Sequence, residues 1–210
     1  MKEADKKIRT PVQNRSKEKK DRIIQAAYDF FNQEGYNAVS IRMIAKAAGV
    51  SIGTIYSYFQ DKRDIYIATA ALYGHDMYDN FSSIIQDKKF SAENVEEMVY
   101  TIIVKFKEII QSHYNFHLDS VVLSLTDEKI REVLAVQEHE IANSISQLFI
   151  QSMGDKIEVQ DAQVSTFIVH KAIEEIVQHM LFYKVDLPED LVFRELALMV
   201  SRYIEKKSPS

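Results

Sequence analysis

The sequence predicts an all-α chain of about nine helices, and three observations carry that expectation. Glycine and proline are scarce, five and three among 210 residues, and no Asn-Gly or Asp-Gly pair marks a tight hairpin. Apolar side chains recur at three- and four-residue spacing over most of the length, the period of an amphipathic helix. Serine, threonine and aspartate stand just ahead of several stripes, where a side-chain oxygen caps a first turn.

The elements follow in chain order. Residues 1–16 are polar and hold Lys2, Lys6, Lys7, Arg9 and Arg15, so they read as a flexible basic arm. A first helix is expected from Ser16 or Lys17 to Glu34, with Ile23, Ala27, Phe30 and Phe31 inward and Gly35 as its stop. Ser40 caps a second over Ile41–Ala48, where Ile41, Ile44, Ala45 and Ala48 form one stripe. Gly49 supplies the positive φ that ends it. Ser51 caps a third over Ile52–Phe59, anchored by Ile55 and Phe59. Two short helices around a glycine turn are the arrangement that lets the second enter a DNA groove. Gly53 and Thr54 keep its leading face small, since bulk there would hold the helix off base edges.

Asp61 opens a fourth helix with Ile65, Ala68, Leu72 and Phe81 on its buried side and Gly74 as a weak point inside it. Ser91 is placed to cap a fifth, striped by Val95, Val99, Ile102, Phe106, Ile109 and Ile110. A sixth covers roughly Tyr114 to Leu125, and a seventh runs from Thr126-Asp127-Glu128 to Gly154. Asp161 begins the eighth, ending near Lys184, and Leu187-Pro188 starts the ninth, proline being suited to a first turn.

From about Lys19 to Ile65 the chain resembles the N-terminal domain of the tetracycline-repressor (TetR) family of bacterial transcription regulators. The marks are Ile23, Ala26 and Ala27, Phe30 and Phe31, Gly35 and Tyr36, and Val39-Ser40-Ile41. They continue through Ile44-Ala45, Ala48-Gly49-Val50-Ser51, Gly53-Thr54-Ile55-Tyr56, Tyr58-Phe59 and Lys62. Beside the polar arm over 1–16, the resemblance implies a helix-turn-helix DNA-binding domain over 17–64 and a helical effector-binding and dimerisation domain over 65–210. The arm is either a plain tail or a further contact to DNA.

Charge agrees with that division. The net charge is −5, yet residues 1–64 hold 13 Lys and Arg against 8 Asp and Glu, and residues 65–210 hold 13 against 23. A basic head on an acidic body orients the molecule toward phosphate. The absence of cysteine excludes disulfides and thiol chemistry and suits a reducing cytoplasm. No apolar run approaches the ~18 residues of a membrane span, so the expected place is the cytoplasm. No phosphate-cradling glycine loop, metal motif or nucleophile elbow points to an enzyme, and no cofactor or metal is expected. His113 and His117, four apart, share a helix face but lack a third ligand.

Carried residue by residue, the resemblance implies that Ser51, Ile52, Gly53 and Thr54 lie nearest the base edges. Arg42 offers a fork suited to guanine. Tyr56 and Tyr58 would contact phosphate or sugar, and Ser40 and Lys62 would clamp phosphate. In the body, Tyr73, Met77, Phe81, Tyr100, Phe106, Phe116, Phe149 and Tyr183 are candidates for an effector pocket, although aromatics at this spacing also build plain cores. Second apolar rows on the last two helices, Val164, Phe167 and Ile168, then Phe193, Ala197, Val200 and Ile204, are candidates for a homodimer interface. The function expected is a repressor released from a palindromic operator by a small hydrophobic or aromatic ligand. The alternative is a DNA-binding adaptor regulated by a protein partner.

Overall fold

The computed structural model describes residues 12–86 and 94–206. Among them are nine α-helices: α1 (Val12–Glu34), α2 (Ile41–Ala48), α3 (Ile52–Tyr56), α4 (Lys62–Gln86), α5 (Val95–Ser112), α6 (Tyr114–Thr126), α7 (Glu128–Met153), α8 (Ala162–Phe182) and α9 (Glu189–Ile204). The chain divides into two compact units between Leu72 and Tyr73, so α4 contributes to both. Helix α1 begins at Val12, earlier than Ser16, directly after Pro11, a residue that starts helices better than it continues them. The rest of the expected arm, residues 1–11, and the expected cap Ser91 lie outside the described residues. Asn94 caps α5, its side chain accepting from the Glu96 amide at 2.8 Å.

The first unit is built on Ile23, Ala27 and Phe31 of α1, which meet Val39, Ile44, Ala45, Ala48, Ile55, Phe59, Ile65 and Tyr66 in its core. Phe31, Tyr36 and Tyr66 form a ring cluster with centroids 5.2–5.6 Å apart. The caps of α2 stand where local chemistry dictates. Ser40 Oγ accepts from the Met43 amide at 3.3 Å, and Gly49 takes φ +65°. Val50 N then donates to Ala45 O at 3.0 Å and Gly49 N to Lys46 O at 3.3 Å, the paired bonds of a Schellman end. A methyl added at Gly49 would meet no atom within 4 Å. Gly49→Ala therefore acts through backbone strain alone and lowers head stability by about 1–2 kcal/mol, read from denaturant midpoints.

The second unit packs α5 against α8 and α9. Its core includes Val99, Ile103, Phe106 and Ile110 of α5, Ile173 and Val177 of α8, and Phe193, Leu196, Ala197, Val200 and Ile204 of α9. The α7–α8 connection is tied to the end of α9: Glu158 N donates to Ile204 O and Lys206 N to Lys156 O, both at 2.9 Å. Gly74 is not a weak point. It is buried, and a Cβ there would come within 2.5 Å of Ile141 Cδ1, so the glycine admits α7 close to α4.

Candidate nucleic-acid interface and effector cavity

Helices α2 and α3 present their polar faces to solvent. Ser40, Arg42, Ser51, Ile52, Gly53 and Tyr56 are exposed, and Thr54 and Tyr58 are half-buried. Ser51 Oγ accepts from the Thr54 amide at 3.1 Å and shares a hydrogen with Thr54 Oγ1 at 2.9 Å, which fixes the leading turn of α3. That helix ends at Tyr56, short of Phe59, because Ser57 Oγ donates to Thr54 O at 2.7 Å and Tyr58 N turns to Ile55 O at 2.9 Å, a tighter three-residue bond. The Tyr58 hydroxyl pairs with Ser16 Oγ at 2.9 Å. Its expected phosphate role competes with that internal bond.

Lys62, the expected phosphate clamp, is held by the chain's own backbone and by an aromatic ring. Its Nζ donates to Tyr36 O at 2.7 Å and Val39 O at 2.9 Å and lies 4.2 Å from the Tyr36 ring centroid. The ammonium satisfies carbonyls of the α1–α2 connection, a structural task that loop carbonyls demand. Lys62→Met therefore destabilises the head by about 2 kcal/mol, since hydrogen bonds to a charged group are lost. The slope of log affinity against log salt for DNA stays as in the native chain. A flattened slope with unchanged melting would restore the clamp.

In the second unit an apolar cavity of about 140 Å³ opens among five helices. Met77 and Phe81 of α4, Val99, Ile102 and Phe106 of α5, and Ile141, Ile145 and Phe149 of α7 line it. Val169, Ile173 and His170 of α8, Val200 and Ile204 of α9, and Ile157 and Val159 of the connection complete the wall, with Ser146, Ser165 and Thr166 as its few hydroxyls. Four of the eight expected lining residues, Met77, Phe81, Phe106 and Phe149, are there. The other four are elsewhere for stated reasons. Tyr73 pairs with His117 Nδ1 at 2.8 Å beside the buried ring of Phe116. Tyr100 donates to Asp190 and lies under the Arg194 guanidinium, 4.3 Å from ring centroid to cation. Asp190 and burial hold the Tyr100 phenol above its usual range. Tyr183 is exposed and stacks on His179.

The expected interface rows divide. Val164, Phe167 and Ile168 of α8 are exposed, at 52%, 59% and 47%. Phe193, Ala197, Val200 and Ile204 of α9 are buried in the unit's own core, because α5 and α8 cover that row. The solvent side of α9 carries Met199 and Tyr203 instead, and the Tyr203 hydroxyl pairs with Ser165 Oγ at 3.1 Å, beside the exposed α8 row. His113 and His117 do not converge on a metal. His113 Nδ1 lies 3.1 Å from Ile109 O, while His117 is buried with Nε2 unpartnered, and burial pushes its pKa down to about 4.

Residues 23–69 match the family model described as bacterial regulatory proteins, tetR family. The matched span holds α2, α3 and the caps between them. The chain belongs to the tetR family. It is 27% identical over 194 residues to the HTH-type transcriptional regulator AcrR of Shigella flexneri, covering 90% of this chain and 76% of that protein. An HTH-type regulator of Staphylococcus aureus (strain USA300) is 31% identical over 94 residues, about half its length at 49%. The crystal structure of a transcriptional regulator from Saccharomonospora viridis in complex with choline superposes with TM-score 0.66 at 18% identity, covering 91% of this chain and all (100%) of that one. At that identity the likeness concerns the fold. As a TetR-family member the chain is a DNA-binding transcriptional regulator. No helix among the described residues is long and apolar enough to cross a membrane.

What sequence reasoning missed in this TetR-family body is mainly aliphatic: Ile102, Ile145, Val169 and Ile173 line the cavity as much as any ring. No sequence signal separates such residues from core, since both carry the same period.

Proposed function

We propose that this TetR-family chain is a repressor that binds a palindromic operator as a homodimer and releases it when a small apolar ligand fills the body cavity. The observation that carries the ligand is the cavity itself, apolar over most of its wall with a few hydroxyls and one imidazole, the make-up of a small-molecule site. A fold relative whose structure holds choline supports a small-molecule site in such a body, without bearing on the ligand's polarity. On the head, Ser51, Ile52, Gly53 and Thr54 approach base edges, Arg42 reads a base, and Ser40 and Tyr56 grip the backbone, since these exposed groups and the half-buried Thr54 share the surface of α2 and α3. The exposed row Val164, Phe167 and Ile168, with Met199 and Tyr203, seals the pair, and the cytoplasm is the place such a regulator works.

The test is titration of the operator complex with a panel of apolar, aromatic and cationic compounds, following DNA release and melting temperature together. A compound that does both, and does neither on a chain with Ile145→Trp filling the cavity, bears the reading out. A panel that shifts melting with DNA still held would leave the protein-partner adaptor as the better reading.

A further inference from the structure

Among the described residues, a group of metal-ligating side chains joins α7 to α8. Glu138 of α7 faces His170 and Glu174 of α8, which are four apart and so share one side of that helix. One donor atom from each lies within 4.8 Å of the other two. Glu174 and His170 are largely buried, with side-chain exposure of 16% and 26%. Glu138 Oε1 stands 3.7 Å from His170 Nδ1.

We propose that Glu138, His170 and Glu174 bind a divalent transition-metal ion at the seam of α7 and α8, beside the cavity that His170 lines. The seam already carries one cation, the chain's own Lys171, which an ion would have to displace. Lys171 Nζ donates to Glu138 Oε1 and, at 2.7 Å, to Glu174 Oε2, so the ammonium bridges the two carboxylates that a metal would bridge. The point is built to hold positive charge, and a lysine on a flexible, half-exposed stem is a replaceable holder of it. His170 lines the cavity and offers a ring nitrogen to the seam. Two carboxylates and one imidazole suit Zn²⁺, Co²⁺, Ni²⁺ or Mn²⁺ better than a thiophilic ion. A tetrahedral ion with bonds of roughly 2.0–2.2 Å needs its donors closer together than they stand, a closure that carboxylate rotation provides once the ammonium leaves. Three protein donors leave a position open for water or for a donor atom of a cavity ligand. Gln178 Nε2, which donates to Glu174 Oε1 at 3.1 Å, steadies one carboxylate from behind.

The test uses the full chain, stripped with chelator, titrated with Co²⁺ by visible absorption and with Zn²⁺ in competition. A single Co²⁺ with a ligand-field spectrum is expected, lost in each of Glu138→Gln, His170→Asn and Glu174→Gln while circular dichroism confirms that they fold. Lys171→Met, which removes the competitor, should tighten binding several-fold. A native chain without a Co²⁺ spectrum overturns the proposal, as does a spectrum that survives all three ligand substitutions. Binding that appears only in Lys171→Met also overturns it, leaving the lysine as the permanent cation of the seam. DNA affinity is measured on the same samples, so the metal result stands apart from the operator reading.

Discussion

Gly53→Leu should leave the head folded while reducing operator affinity to the non-specific level, a loss on the order of a thousandfold. The two halves of that expectation have separate causes. Gly53 is exposed on the leading turn of α3, with ordinary negative φ, and a Cβ built there meets only Ser51 Oγ at 3.8 Å. Nothing inside the head resists the substitution, and replacing glycine in a helix reduces the entropy lost on folding. The leucine side chain instead projects where the helix would approach base edges, and groove recognition tolerates no such standoff. Melting temperature and operator affinity, measured on one preparation, read the two effects independently. Loss of both together would mean that Gly53 serves the fold.

The body should lose stability as pH falls from about 6.5 to about 4, by roughly 3 kcal/mol attributable to one imidazole. His117 is buried beside Tyr73 and Phe182, and burial is the main force holding its pKa near 4, with the positive field of His113 acting the same way and Glu138 opposing. In the unfolded chain the ring titrates near 6.5. Between those values the unfolded state binds more protons than the native one, so acid favours unfolding. Above the upper value the full contribution is present. Urea midpoints of the native chain and of His117→Gln across that window check this: the difference between the two should shrink or reverse as pH drops. Parallel curves would show that another group governs acid lability.

How far the residues alone reached depended on whether the deciding chemistry was local. The ends of α2 are written in Ser40 and Gly49, because a cap hydroxyl and a positive φ act within a few residues. The cap pairing of Ser51 with Thr54 is legible for the same reason. The two backbone bonds of Lys62 are not legible in the sequence, because Tyr36 O and Val39 O lie 26 and 23 positions earlier and carbonyls carry no residue code. On α9 periodicity marks apolar rows on two sides, but only the packing of α5 and α8 decides that Phe193 and Val200 turn inward while Met199 and Tyr203 turn out. The cavity suffered the most. Its wall is assembled from five helices and a connection, and the conspicuous rings of Tyr100 and Tyr183 were diverted to surface partners.

The most direct measurement is an unbiased selection of duplexes from a randomised pool with the full chain, followed by stoichiometry on the winning sequence. A two-fold symmetric site bound by a pair of chains, with enrichment abolished by Gly53→Leu, is the predicted result. A well-folded chain that enriches no duplex even at low ionic strength would contradict the account.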